Sequence, residues 1–208
     1  MKPFPFIPNV ISAAVIVVFC NYFLDIRLAL SVKALFRKSR TWAKYAGTIP
    51  DLLFYVVCVA TLVSFACYVV RTRKEICDKA TRFFLLITCV VPLTYALKAL
   101  LKFVFGRVNT RLWLEKPELY GFHWFHGGGF GAGFPSGHMA VFTVMIAALW
   151  RFYPRYRSLY LVFSLLLATA LVVTNYHFLG DVVGGAYLGI IVEAVTYRGL
   201  NRMGRMEG

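Results

Sequence analysis

The sequence predicts an all-α polytopic membrane protein: a six-transmembrane-helix bundle with one interfacial amphipathic helix. Two observations carry that prediction. Hydrophobic residues make up 60% of the 208-residue chain and mean hydropathy is +0.68, beyond the apolar share of soluble domains. The lysines and arginines behind the formal charge of +14 flank apolar runs rather than forming one patch. That placement assigns them to orientation in a lipid bilayer and argues against a nucleic-acid partner. Residues 1–208 suit a single membrane domain. Cys20, Cys58, Cys67, Cys77 and Cys89 follow no metal or redox spacing and read as free thiols.

The elements follow in chain order. Span one is Val10–Leu24, uncharged, and no small-residue cleavage pattern follows it, so it reads as a retained span rather than a signal peptide. In Arg27–Lys44 the cations Lys33, Arg37, Arg40 and Lys44 share one helical side and Leu28, Val32, Leu35 and Phe36 another. This is the amphipathic helix, lying in the headgroup region. Span two runs from Pro50 to Val70 and stops at Arg71-Thr72-Arg73-Lys74. Span three, Phe83–Phe103, contains Pro92, a kink point, and carries Lys98 and Lys102 near its end. Spans four, five and six are Ser136–Phe152, Leu159–Thr174 and Asp181–Tyr197. Each is long enough for a hydrocarbon core of about 30 Å. Gly180, Gly184, Gly185 and Gly189 form interleaved small-xxx-small pairs that permit close helix contact.

Basic residues at 71–82 and 151–157 place those loops and the C-terminus in the cytoplasm. Lys102, Arg107, His138, His177 and Asp181 then gather on the outer side. Arg27–Lys44 is also basic yet outside, which a surface-bound helix accommodates.

The chemistry concentrates in two stretches. In Gly127–His138, glycines at 127, 128, 129, 131 and 133 let successive N–H groups turn inward, and Pro135-Ser136 opens a helix. A helix N-terminus attracts phosphate, here holding Ser136 and Gly137, with His138 in the first turn. In His177-Phe178-Leu179-Gly180-Asp181, the four-residue spacing puts His177 and Asp181 on one helical face. The carboxylate would fix the imidazole tautomer and leave the other nitrogen a better nucleophile or base. Lys102 and Arg107 add fixed positive charge, which completes the parts of a phosphoryl-transfer site. On the residues alone, the two histidine roles are interchangeable.

Lys102-Phe103-Val104-Phe105-Gly106-Arg107, Pro135-Ser136-Gly137-His138 and His177 through Asp181 together resemble the motifs of the type 2 phosphatidic acid phosphatase superfamily of membrane lipid phosphatases. The resemblance covers spans three to six, within residues 98–185 for the motifs. It implies that His177 attacks phosphorus and becomes phosphohistidine, that Asp181 orients it, and that His138 protonates the leaving oxygen. Lys102, Arg107, Ser136 and Gly137 would hold the phosphate, with no metal and no cofactor. The implied substrate is a phosphate monoester or diphosphate of a membrane lipid, such as lipid A phosphate, undecaprenyl diphosphate or phosphatidylglycerol phosphate. The implied place is a bacterial inner membrane, with the site facing the periplasm.

Two departures stand out. Asn109-Thr110 occupies the place of the family's Arg-Pro, and Ala170-Leu171 that of its Ser-Arg. Arg111, Lys98, His123 and His126 are the candidates to compensate. A metal site built on His123, His126, His138, His177 and Asp181 is a competing reading. Trp113, Tyr120, Phe122, Trp124 and Phe125 are expected to form an aromatic belt over the pocket. A lipid phosphotransferase on the same scaffold and a non-catalytic phospholipid-binding protein are the alternative functions.

Overall fold

A computed structural model describes residues 6–35, 48–127 and 132–206, whose regular structure is entirely helical. The chain opens with α1 (Phe6–Phe19), passes through a π turn (Cys20–Leu24) and continues as α2 (Asp25–Leu35) without interruption. This corrects the expected boundary between a span ending at Leu24 and a separate surface helix. No glycine or proline interrupts residues 20–35, so nothing breaks the backbone ladder there. The rest of the expected amphipathic helix, residues 36–44, lies outside the described residues.

The two long helices α3 (Thr48–Arg73) and α4 (Lys79–Phe105) form a hairpin. Asp78 caps α4: its carboxylate accepts from Thr81 N at 2.9 Å and from Arg71 Nη2 at 2.5 Å. Helix α4 runs through Pro92 and ends at Gly106, whose φ of 56° is the left-handed cap that only glycine adopts freely. The short α5 (Thr110–Glu115) follows, then α6 (Gly137–Phe152), α7 (Arg157–Val173) and α8 (Leu179–Arg202).

Among the described residues, five helical stretches are long and apolar enough to cross a membrane: Ile7–Leu35, Tyr55–Arg73, Lys79–Glu115, Pro154–Val173 and Leu179–Arg202. The expected sixth, α6, is apolar but has only 16 residues. At 1.5 Å per residue that is about 24 Å, short of a typical core. Helix α6 is instead the central one, its Val141, Val144 and Ala148 packed with Leu86, Val90 and Val91 of α4, Val57 of α3 and Val192 of α8. Helices α3 and α7 turn Val59, Leu62 and Phe65, and Leu161, Val162 and Leu165, outward. Apolar faces left open in this way belong against lipid. The protein is a helical integral membrane protein.

The small-residue expectation for α8 holds. A Cβ added at Gly185 would lie 2.5 Å from the Ser136 carbonyl, and one at Gly189 would lie 2.6 Å from that of Ala140. Glycine at both positions lets the backbones of α6 and α8 touch.

Candidate active site

Where α4, α6 and α8 begin or end together, a cavity of about 490 Å³ opens among them. Its lining includes Lys98 and Lys102 from α4, Asn109, Arg111 and Glu115 from around α5, and His138 and His177. Leu53, Val57, Val141, Phe142 and Leu167 line it as well. Cations, imidazoles and apolar side chains thus share one space.

His138 stands in the first turn of α6, whose cap is Ser136 as the sequence predicts: its Oγ accepts from Met139 N at 3.4 Å. Gly137 lines the cavity, and an added Cβ there would lie 3.1 Å from the Lys98 ammonium, so the missing side chain is where that group sits. Ser136 is fully buried and its N–H donates to the Asp181 carbonyl at 2.9 Å, tying the two motifs together through backbone. Residues 128–131 of the glycine-rich loop lie outside the described residues.

His177 and Asp181 meet, but not on one helical face. His177 precedes α8, and Asp181 is the third residue of that helix, its carboxylate accepting from Phe178 N at 3.1 Å. Oδ2 also lies 3.6 Å from His177 Nδ1, within ion-pair distance, and the Gly133 backbone also bonds the ring. The His138 and His177 rings are 6.2 Å apart between centroids. Burial pushes the His177 imidazole below its ordinary range, while Asp181 works against that shift.

The structure places the two candidate arginines opposite to expectation. Arg107 is fully buried and does not line the cavity. Its Nη1 donates to Asp181 Oδ1 at 2.7 Å and its Nη2 to Asp25 Oδ2 at 2.6 Å. Rings wall it in, with Phe178 4.5 Å and Phe122 5.2 Å from the guanidinium carbon. Arg111 lines the cavity instead, stacked 4.9 Å over Tyr176 and donating to the Thr174 carbonyl. The reason is local. Asn109 Oδ1 accepts from Leu112 N at 2.9 Å and starts α5, which carries Arg111 back to the pocket. At the other departure, Leu171 is buried against Met139, Leu167 and Val182, a surrounding unsuited to charge.

Neither His123 nor His126 lines the cavity. Each is exposed and bonded to a loop carbonyl, that of Leu119 at 3.2 Å and that of Trp124 at 2.6 Å. Among the described residues no cluster of three or more His, Cys, Asp or Glu could hold a metal ion. Nor do the loop aromatics cover the pocket. Trp113 and Tyr120 pack on Phe178, and Phe122 on Phe105 and Phe134, around Arg107. Burial pushes the Tyr120 pKa up to about 12, and its hydroxyl donates to the Asn21 carbonyl at 2.5 Å.

Asp25 and Asn21 were not legible as site residues. The available signal was a lone carboxylate at the end of an otherwise uncharged run, since ionisable groups within spans are costly and pair with something.

A helical membrane protein whose two histidines share a cationic pocket has the makings of a phosphoesterase. The chain belongs to the PAP2 superfamily, whose family model matches residues 81–205, more than half of its length. Compared with curated proteins and with solved structures, it matches none. Membership brings phosphatase-type activity on phosphate esters at a membrane.

Proposed function

We propose that this chain hydrolyses the phosphate ester of a membrane lipid through a phosphohistidine at His177. The observation that carries the reading is one cavity lined both by His138, His177, Lys98, Lys102 and Arg111 and by apolar side chains. His177 Nε2 attacks phosphorus as the bond to the lipid oxygen breaks; His138, protonated in the complex because the bound phosphate dianion offsets the neighbouring lysines, gives that oxygen its proton and is left neutral. Water then attacks the phosphohistidine, His138 takes a proton from it, and the P–N bond breaks to release phosphate. Lys98, Lys102, Arg111 and the first N–H groups of α6 oppose the charge on the non-bridging oxygens. Those side chains supply the positive charge, so hydrolysis should continue in a chelator.

The basic loops at 71–82 and 151–157 favour a cytoplasmic location for their end of the bundle, with the pocket at the periplasmic face. Cysteine labelling from outside should then reach a probe at Lys116 and miss one at Arg155.

The direct test is phosphate release from lipid monophosphates and diphosphates by the protein purified in detergent. Wild type should release phosphate and form an acid-labile, base-stable phosphoenzyme; His177→Ala should do neither. Full activity in the alanine variant would overturn the reading. Transfer of the phosphoryl group to an added alcohol at the expense of water would identify the phosphotransferase instead.

A further inference from the structure

The first helix reaches the site from outside the stretch that matches the family. At the π turn the Asp25 N–H donates to the Cys20 carbonyl, five residues back, so Asp25 falls beneath Cys20 on the buried face of the helix. Both are buried, Asp25 at 1% exposure. A π turn adds one residue to the helical repeat, and such turns gather at functional sites. Asp25 Oδ1 accepts from Gly180 N at 2.9 Å, and Oδ2 takes Arg107 Nη2 at 2.6 Å. Gly180 makes room for it, since an added Cβ would lie 2.9 Å from Oδ2. Asn21 Oδ1 accepts from the same Nη2 at 3.0 Å.

These contacts continue to the nucleophile. Arg107 divides its two arms between Asp25 and Asp181, and the other oxygen of Asp181 faces His177. With both carboxylates ionised, the two around one guanidinium leave a net charge of −1. Had Arg107 paired with Asp181 alone, the pair would be neutral. In the interior that difference is screened less than in water. His177 gains positive charge as its bond to phosphorus forms, and a net negative neighbour favours that charge. The other groups facing His177 are Lys102 from α4, His138 from α6 and adjacent Tyr176; those facing Asp25 besides Arg107 are Asp181, Tyr120 and Cys20.

We propose that Asp25 is a positioning residue for the nucleophile: by holding one arm of Arg107 it keeps Asp181 negative toward His177, which makes the N-terminal helix part of the catalytic machinery. The inference rests on His177 being the nucleophile. It assigns Asp25 no contact with substrate, because Asp25 does not line the cavity.

The test is the pH profile of kcat/KM on one lipid phosphate for wild type, Asp25→Asn, Asp25→Glu and the double variant Asp25→Asn/Arg107→Gln, with unfolding temperatures measured in detergent. Asp25→Asn makes the cluster neutral. It should lower kcat roughly tenfold or more with KM within about twofold, and move the acid limb down by about one pH unit, the size of a nearby-charge effect. The double variant returns the net charge to −1 and should bring the limb back to the wild-type pH, although two partners are gone. Asp25→Glu keeps the charge and should keep the limb. A scaffold role predicts the reverse order, with the double variant the worst of the three. A wild-type kcat and limb in Asp25→Asn, or a double variant whose limb differs from wild type, overturns the proposal. Should Asp25→Asn not fold, the double variant and Asp25→Glu decide by the same limb criterion. Activity in His177→Ala would remove the nucleophile assignment itself, a result distinct from any of these.

Discussion

Two ion clusters clamp α8, one at its start and one farther along, and they are built to different rules. Asp25, Arg107 and Asp181 have side chains with 0% exposure and an odd charge count. Arg151 and Glu193 form a matched pair, two-pronged at 2.5 and 2.8 Å, with the arginine 34% exposed and stacked 4.0 Å over Tyr197. The matched pair satisfies itself and leaves no field for its neighbours, so it works as a staple between α6 and α8. The odd cluster leaves charge over when both carboxylates are ionised, and the His177 imidazole stands beside it. Buried ion pairs look alike in a contact map; counting their charge separates those that hold a fold from those that act on something.

The largest effect should come from removing the guanidinium at the odd cluster. Arg107→Ala strands two buried carboxylates and should cost about 3–5 kcal/mol of stability, read as a drop in unfolding temperature, together with most of kcat. If Arg107 gripped substrate instead, KM would rise while the unfolding temperature held. Next comes Arg111→Ala, which leaves both clusters intact and should cost roughly 10²–10³-fold in kcat/KM, as for other groups that stabilise an oxyanion. Arg111→Lys should recover little, since an ammonium neither stacks flat on Tyr176 nor offers a two-pronged grip. Activity within about twofold of wild type in Arg111→Ala would leave Lys98 and Lys102 as the only cations of the site.

At the matched pair, Glu193→Gln should lower stability by about 1–3 kcal/mol and leave kcat unchanged on a lipid phosphate. A fall in kcat there would erase the contrast between the two clusters. The smallest effect belongs to Asp78, an exposed cap whose pKa is pulled down to about 2 by the Thr81 N–H and then by Arg71. Its folded pKa lies below the unfolded value near 3.8. The stabilisation is therefore complete above that value and is lost as the pH falls toward 2. Asp78→Ala should lower the unfolding temperature slightly at pH 7 and remove that part of the acid dependence.

Much of this was open to reading in the sequence, and the limit has a physical reason. Helices α3, α4, α7 and α8 announce themselves by apolar runs with basic ends, and the Ser136 cap by its place before Met139–Trp150. Spacing paired His177 with Asp181, and the charge of the loops put His138 on the same side of the membrane as both. What failed was partnership across elements. Arg107 was expected to face phosphate because it is a cation in a motif. It faces two carboxylates because α1 passes within reach, and no local pattern encodes that. Arg111 looked like a loop residue until Asn109 was seen to start a helix beneath it. The expected length of α6 differed little from the observed one, 16 residues from Gly137 to Phe152.

The glycine seam sets a tolerance. His138 hangs from the head of α6 and Asp181 from the head of α8, and below them Gly185 and Gly189 press one backbone directly on the other. The spacing between His138 and Asp181 is gauged by two main chains in contact, a stiffer ruler than a pair of long side chains. Helices α3 and α7 carry outward apolar faces, so a change in the bilayer that shifts them need not alter the contact between α6 and α8.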